Sequence, residues 1–287
     1  MTIPPFQLET YRTYAQQQFP ALCQPRAIDS HKGSFGSVAI IGGASGMVGA
    51  PILAARAALK LGTGRTYIGF AQNQAPLAID PLQAEIMLKT AHEALALKHL
   101  SAIVIGCGLG LTTEAEQLLQ QCLEQQAHLP LVIDADALTL LAQHKNKLQA
   151  LQNSPTQAAP YASAVRILTP HPSEAARLLH CETSDIQADR AGAAREIVER
   201  YQAWVVLKGH QTLIASPSGL LISNQTGNPG LASGGTGDVL AGMIGALLAQ
   251  SIPIEQAVSG AVWLHGAAAD YLVSQGIGPI GMCATEV

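Results

Sequence analysis

Short apolar runs, each opening into a glycine turn and then an Ala/Leu-rich stretch, recur along this 287-residue chain. Ser37-Val38-Ala39-Ile40-Ile41 leads through Gly42-Gly43-Ala44-Ser45-Gly46 into a helix predicted over 48–61, and a strand over 65–70 follows. The same beat gives a strand over 102–105, a turn over 106–110 and a helix over 113–126. It gives a strand over 131–134 with a helix over 137–143, and a strand over 165–168 whose turn, Thr169-Pro170-His171-Pro172, precedes a helix that Ser173 caps and that runs to Leu179. A helix over 188–201 and a strand over 204–207 complete the series. Apolar runs bounded by glycine read as strands buried on both faces, and helices of this length between them require parallel crossovers. The chain is therefore an α/β protein with a mostly parallel central sheet. After Lys208 the pattern changes to a hairpin (212–215, Pro217-Ser218-Gly219, 220–222) at a sheet edge, then two helices over 237–250 and 254–274. The first thirty residues are polar and Gln-rich, a helix followed by a loop. The Gln/Pro/Ser-rich stretch 145–163 falls inside the alternation and reads as a surface-loop insertion. One domain over 27–287, preceded by an N-terminal extension over 1–26, fits better than two.

Composition narrows the function classes. Lys plus Arg is 16 against 20 Asp plus Glu, a formal charge of −4, so no basic excess is available for a nucleic-acid backbone. Charged residues are 13% and hydrophobic residues 48%, which excludes disorder as the dominant state. Charge-free apolar stretches such as 239–249 fall short of the roughly 20 residues a bilayer requires. No basic segment followed by an apolar run opens the sequence, so no signal peptide is expected. Five cysteines at irregular spacing with no CxxC pair read as reduced thiols of a cytoplasmic protein. Low charge with many alanines suggests a surface buried between subunits of a homo-oligomer.

In an open parallel sheet ligands bind at the carboxyl ends of the strands, so the turns after Ile41, Ile105, Asp134, Leu168 and Leu207 should share one rim. The turn at 42–49 lacks GxGxxG spacing, 106–110 fails at the last glycine of that motif, and no Walker A lysine exists. The most informative segment is Asn228-Pro229-Gly230-Leu231-Ala232-Ser233-Gly234-Gly235-Thr236-Gly237-Asp238, which enters an apolar helix directly. Small residues at a helix N-terminus present free backbone N–H groups in a positive potential, suited to a phosphate or a developing anion. A carboxylate there, Asp238, can take a proton from a substrate hydroxyl while those groups stabilise a transferring phosphoryl. Capping alone would need one residue, not four glycines in eight positions.

Gly-Gly-Thr-Gly-Asp resembles the GxGD anion hole of the ribokinase-like superfamily. A wider set of blocks is similar to the ADP/ATP-dependent NAD(P)H-hydrate dehydratases. They are 31–36 (HKGSFG), 42–50 (GGASGMVGA), 106–110 (GCGLG), 134–138 (DADAL), 169–179 (TPHPSEAARLL), 207–212 (LKGHQT) and 228–242, standing in the family's order over about 27–271. The resemblance implies a three-layer α/β/α sandwich. It also implies an enzyme that phosphorylates the ring hydroxyl of the S epimer of NADH-hydrate or NADPH-hydrate with ADP or ATP, then eliminates phosphate to restore the reduced nicotinamide. With no room before Ala27 for the epimerase fused to some members, epimerisation is expected from a separate protein.

The family's roles carry over residue by residue. Asp238 is the implied catalytic base and also touches substrate. Ala50, Gly108, Gly110 and His171 are implied to line the hydrate pocket. Lys208, Gly209, His210, Gln211 and Thr212, with Gly235, Thr236 and Gly237, are implied to hold the nucleotide. Phosphoryl transfer calls for Mg²⁺, with Glu174 the candidate ligand and Asp134 and Asp136 alternatives. The sequence departs from the family at Cys107, where proline is usual, and at Ser173, where glycine is common. Cys107 reads as a small filler and His265 as a satisfied core residue. His31 and Lys32 either reach phosphate or begin the first strand, and Glu85 could point into the cleft. A small-molecule kinase of the same superfamily, acting on a vitamin precursor, and a non-catalytic nucleotide-binding regulator are the competing readings.

Overall fold

Uninterrupted burial is what the apolar runs produce. In the computed structural model, which describes residues 6–143 and 165–287, strand β1 (Ser37–Gly42) is buried along its whole length. It pairs in parallel with β2 (Arg65–Phe70) on one side and β4 (Ala102–Ile105) on the other, with Ile40 opposite Ile68 and Val104. The remaining parallel strands are β3 (Met87–Thr90), β5 (Leu131–Ile133), β6 (Arg166–Leu168) and β7 (Trp204–Leu207). β8 (Leu213–Ala215) and β9 (Leu221–Ser223) add the antiparallel edge hairpin, so the nine-stranded sheet runs β3-β2-β1-β4-β5-β6-β7-β8-β9. The order reverses between β1 and β4, and such a switch point opens a ligand crevice beyond the strand ends.

Helices cover both faces, giving the three-layer sandwich. Ile41, Ile103, Ile105, Ile133 and Leu207 pack on one side against α3 (Ala91–Leu95), α4 (Thr113–Glu124), α5 (Ala135–Gln143), α6 (Pro172–Leu179) and α8 (Arg190–Tyr201). Val38, Ile40, Val104, Val132 and Val206 pack on the other against α2 (Gly49–Lys60), α9 (Thr236–Ala249) and α10 (Ile254–Ser274). The N-terminal α1 (Leu8–Gln18) lies on α10, where Tyr11, Tyr14 and Phe19 gather round Trp263 at ring-centroid distances of 5.4–5.7 Å. Among the described residues no helix is long and apolar enough to cross a membrane.

Four local expectations need correction. β3 and α3 were not expected, because a four-residue half-buried edge strand carries no clear periodicity. α7 (Thr183–Ala188) is likewise too short to show one. α6 is capped by His171 rather than Ser173: Pro172 takes the first helical position, and the His171 ring accepts from the Glu174 N–H while the Glu174 carboxylate accepts the His171 N–H at 2.7 Å. His31 and Lys32 form an exposed 3₁₀ turn (Lys32–Phe35) that leads into β1 and packs by the start of β2, at the amino ends of the strands and away from the ligand rim. The 145–163 insertion lies outside the described residues.

α9 presses unusually close to α2. A Cβ on Gly242 would lie 2.0 Å from the Ala54 carbonyl oxygen, whereas one on Gly234 would meet nothing within 4 Å. Gly242→Ala is therefore expected to lower unfolding free energy by about 1–3 kcal/mol or more through overpacking. Gly234→Ala should stay within about 1 kcal/mol, since surface changes away from special features are small. Urea unfolding midpoints at unchanged slope would check both.

Candidate active site

Two loops meet at the switch point because glycine lets their backbones touch. The Gly43 N–H donates to Cys107 O at 3.0 Å and the Ala44 N–H to Gly108 O at 2.8 Å. Gly108 has φ +59°, and a Cβ there would fall 2.7 Å from Met47 Cβ and 3.3 Å from Ala50 Cβ. Gly108 thus lies against Ala50 and Met47, and Gly110 against Ala44 and Met47. Asp136 holds Gly110: its carboxylate accepts the Gly110 N–H at 2.8 Å.

The turn after β5 sends two carboxylates different ways. Ala135 is in the left-handed region at φ +46°, a conformation that costs a non-glycine residue on the order of 1 kcal/mol. Asp136 consequently reaches Gly110, while buried Asp134 accepts from Thr169 Oγ1 at 2.8 Å and from Lys208 Nζ at 2.7 Å. Lys208 Nζ also stands 3.8 Å from Glu174 Oε2. Burial works against the lysine's charge, but Asp134, Glu174 and Asp238 outweigh it and hold its pKa above the ordinary value. Lys208 is therefore charged at neutral pH.

Asp238 projects from the first turn of α9. The helix starts at Thr236, one residue before the expected start, with Gly235 at the N-cap and no side-chain cap bond. Asp238 is thus free of capping duty, and the first N–H groups of the helix remain without intrahelical partners. Gly235 adopts φ +93°, and a Cβ there would lie 2.5 Å from Leu53 Cδ1. At Gly237 a Cβ would sit 3.4 Å from Lys208 Nζ, so lysine and helix terminus converge on the same space. Burial first, then the charge of Asp134, pushes the Asp238 pKa up to about 6. Its carboxylate also receives the thiol of Cys107, and Sγ lies with oxygens of Asp134 and Asp238 inside a 4.8 Å cluster. Burial first, then the neighbouring Asp238 and Asp134 charges, drive that thiol well above its ordinary pKa, so Cys107 stays protonated and is no nucleophile.

His171 stands on the rim with 46% of its side chain exposed and Nε2 3.4 Å from Glu174 Oε1. Burial, Lys208 and Arg177 lower its pKa, while burial raises that of Glu174, so the contact is not an ion pair at neutral pH. The Lys208–Thr212 turn is fixed from behind by Arg190, whose guanidinium donates to the carbonyls of Leu207 (3.1 Å), Lys208 (3.3 Å) and His210. His210 and Gln211 are exposed at its tip. Glu85 is exposed on the loop after β2. His265 is buried, but its Nε2 has no hydrogen-bond partner among the described residues, which corrects the expectation of a satisfied core histidine. Burial lowers its pKa to about 4.

Sequence reasoning missed two supporting residues, Thr169 and Arg190. Neither carries a pattern, because one works through a partner distant in sequence and the other through backbone carbonyls.

This arrangement has recognisable relatives. A family model described as NAD(P)H-hydrate dehydratase matches residues 38–287. The ADP-dependent (S)-NAD(P)H-hydrate dehydratase of Neisseria meningitidis is 44% identical over 273 residues, covering 94% of this chain and 88% of that protein. The bifunctional NAD(P)H-hydrate repair enzyme of Escherichia coli is 38% identical over 96% of this chain, which spans only 50% of that longer protein. The crystal structure of the Bacillus subtilis ADP/ATP-dependent enzyme, co-crystallised with ATP and Mg²⁺, superposes with a TM-score of 0.78 at 33% identity, covering 100% of this chain and 95% of that one. A hydroxyethylthiazole kinase from Pyrococcus horikoshii shares the fold alone, at 17% identity and a TM-score of 0.58. With a nine-stranded α/β sandwich and an aspartate at the mouth of a glycine-rich helix, the chain belongs to the NAD(P)H-hydrate dehydratase family of ribokinase-like proteins.

Proposed function

We propose that this protein uses ADP or ATP to dehydrate the S epimer of NADH-hydrate or NADPH-hydrate. The observation that carries the reading is the placement of Asp238. It is a carboxylate with pKa about 6, in the first turn of α9, with Lys208 converging on the same helix terminus. The hydrated ring lies against the small-residue wall of Ala50, Gly108 and Gly110, with His171 at its edge. Asp238 accepts the proton of the ring hydroxyl as the hydroxyl oxygen bonds to the terminal phosphorus of the nucleotide and the P–O bond to the rest of the nucleotide breaks, releasing AMP from ADP or ADP from ATP. The backbone N–H groups at Gly235, Thr236 and Gly237, with Lys208, receive the charge that develops on that phosphoryl. The Lys208–Thr212 turn holds the rest of the nucleotide. Loss of phosphate and a ring proton from the phosphorylated hydrate then restores the double bond.

Mg²⁺ suits oxygen donors: Asp134 clusters with Asp238 and Cys107, Glu174 reaches the same lysine as Asp134, and the protonated Cys107 offers no thiolate. Glu174, with Asp134 as the alternative, would hold it. Bound there with the nucleotide it would neutralise phosphate charge. Each of these carboxylates, like that of Asp136, already has one oxygen engaged: Asp134 by Thr169 and Lys208, Glu174 by the His171 N–H, and Asp136 by the Gly110 N–H. The same reading has the protein in the cytoplasm as a homo-oligomer.

Incubation with hydrated NADH, Mg²⁺ and ADP or ATP tests the reading. Reduced nicotinamide should appear, seen by its absorbance, only when nucleotide is present, with one phosphate released per turnover. Nucleotide binding without regeneration would overturn it and direct attention to vitamin-precursor alcohols as phosphoryl acceptors.

A further inference from the structure

The chain leaves the nucleotide turn through the β8–β9 hairpin and then runs from Asn224 to the start of α9. Asn224 N–H donates to Thr212 O at 2.9 Å, joining it to the Lys208–Thr212 turn. At its far end Thr236 Oγ1 donates to Leu231 O at 2.8 Å and to Ser233 O at 3.0 Å. Between these points residues 226–228 are bound to α10. Thr226 Oγ1 donates to Trp263 O at 2.7 Å. The Gly227 N–H donates to Asp270 Oδ2 at 2.9 Å, and Asn228 Nδ2 donates to Asp270 Oδ1 at 3.0 Å. The other end of the Asn228 amide accepts from the Gly230 N–H at 3.0 Å, so Asp270 sets which way that amide faces. Close approach is built in: a Cβ on Gly266 would fall 2.3 Å from Thr226 Oγ1.

Asp270 is buried, and among the described residues no salt bridge to a cation reaches it. Its charge is met by neutral donors: Gly227, Asn228 and Tyr11, whose hydroxyl donates to Oδ2 at 3.2 Å. Burial first, then the neighbouring Asp270 charge, raises the Tyr11 pKa to about 12, so the phenol remains a donor. Charge-assisted bonds of this kind are about twice as strong as neutral ones and fix orientation. α1 thereby touches, through one hydroxyl, the carboxylate that shapes the path into the anion hole.

We propose that Asp270 is a positioning residue for the nucleotide side of the site. With Tyr11 of the N-terminal helix behind it, it fixes the Thr226–Gly227–Asn228 segment that links the Lys208–Thr212 turn to the start of α9. The inference rests on the nucleotide assignment above. It predicts a selective defect. The hydrate wall at Ala50, Gly108 and Gly110 is tied to β1, β4 and Asp136, and none of its described hydrogen bonds runs through α10.

The test is ADP binding by calorimetry, run beside steady-state kinetics, on the full chain carrying Asp270→Asn or Tyr11→Phe. Asp270→Asn keeps the shape but turns one acceptor into a donor facing a donor. It should weaken ADP roughly tenfold, the size of one lost charge-assisted bond. Tyr11→Phe, which leaves the aromatic cluster in place, should weaken ADP only about two- to threefold, because the 3.2 Å bond it removes reaches the segment through the Asp270 carboxylate and leaves the Gly227 and Asn228 bonds intact. KM for hydrated NADH should stay within about twofold in both, which a general loss of structure would not leave untouched. Unchanged ADP affinity in the variants overturns the proposal, as does a parallel rise in ADP Kd and hydrate KM. Should Asp270→Asn not fold, Tyr11→Phe decides by the same criteria. Absence of dehydration by a wild-type protein that binds ADP would overturn the proposed function alone. No ADP binding by wild type would overturn both.

Discussion

Asp238→Asn should lose about 10²–10⁴-fold in kcat, the usual contribution of a positioned general base, while becoming harder to unfold at alkaline pH. Both effects come from one cause. The carboxylate is enclosed beside Asp134, and its pKa rises from 3.8 to about 6. An acid whose pKa is higher in the fold than in the unfolded chain binds a proton more readily when folded. Stability therefore falls as pH climbs from 3.8 through about 6, and the whole cost is present at pH 8. Discounted for its partial exposure, that cost is about 1–2 kcal/mol. Asparagine carries no such cost, so the variant should gain that amount over wild type at pH 8 and lose the advantage below pH 4. The acid limb of the wild-type kcat/KM profile should fall near pH 6, because the base acts ionised. Chemical denaturation at two pH values, with a pH–rate profile, reads all of this. An unchanged kcat would place the base elsewhere, and equal stabilities at both pH values would mean that the carboxylate is not strained.

Lys208→Met should be the most destabilising exchange at the site. The Asp134 side chain is 2% exposed and has Lys208 Nζ at 2.7 Å as its cation. Removing one partner of a buried pair leaves an uncompensated charge and costs about 3–5 kcal/mol. Nucleotide turnover should also fall, by about 10–100-fold in kcat/KM, as a charged contact to phosphate is lost. The two losses separate in a double variant. Adding Asp134→Asn to Lys208→Met removes the stranded charge, so stability should recover while nucleotide use should not. If the double variant is no more stable than the single one, the pair does not act as a compensated unit.

The element pattern was open to reading because its causes are local. β2, β4 and β7 match the expected strands, and α10 matches its predicted 254–274 span, since glycine turns and apolar runs state their own boundaries. Elements with too few residues to show a period, β3, α3 and α7, were not visible. The start of α9 was legible for the same local reason: four glycines and an aspartate within eleven residues mark a helix entry that carries a carboxylate in its first turn. Lys208 and Asp134 were each singled out, but their 2.7 Å contact joins residues 74 apart, and no spacing rule predicts it.

The sequence by itself determined the parallel α/β layering, the position of the glycine-headed helix and the presence of Asp238 in its first turn. Periodicity, glycine placement and side-chain chemistry are properties of short segments, so they survive without knowledge of what packs against them. Tertiary structure alone decided the electrical state of the site residues. Asp238 titrates near 6 because burial and Asp134 surround it, Lys208 is charged because three carboxylates face it, and Cys107 is inert because it is sealed against that cluster. Asp270 and Tyr11 gained a place near the site only when α10 and α1 packed together. Desolvation and Coulomb interaction depend on distances between segments far apart in the chain, and folding is what sets those distances.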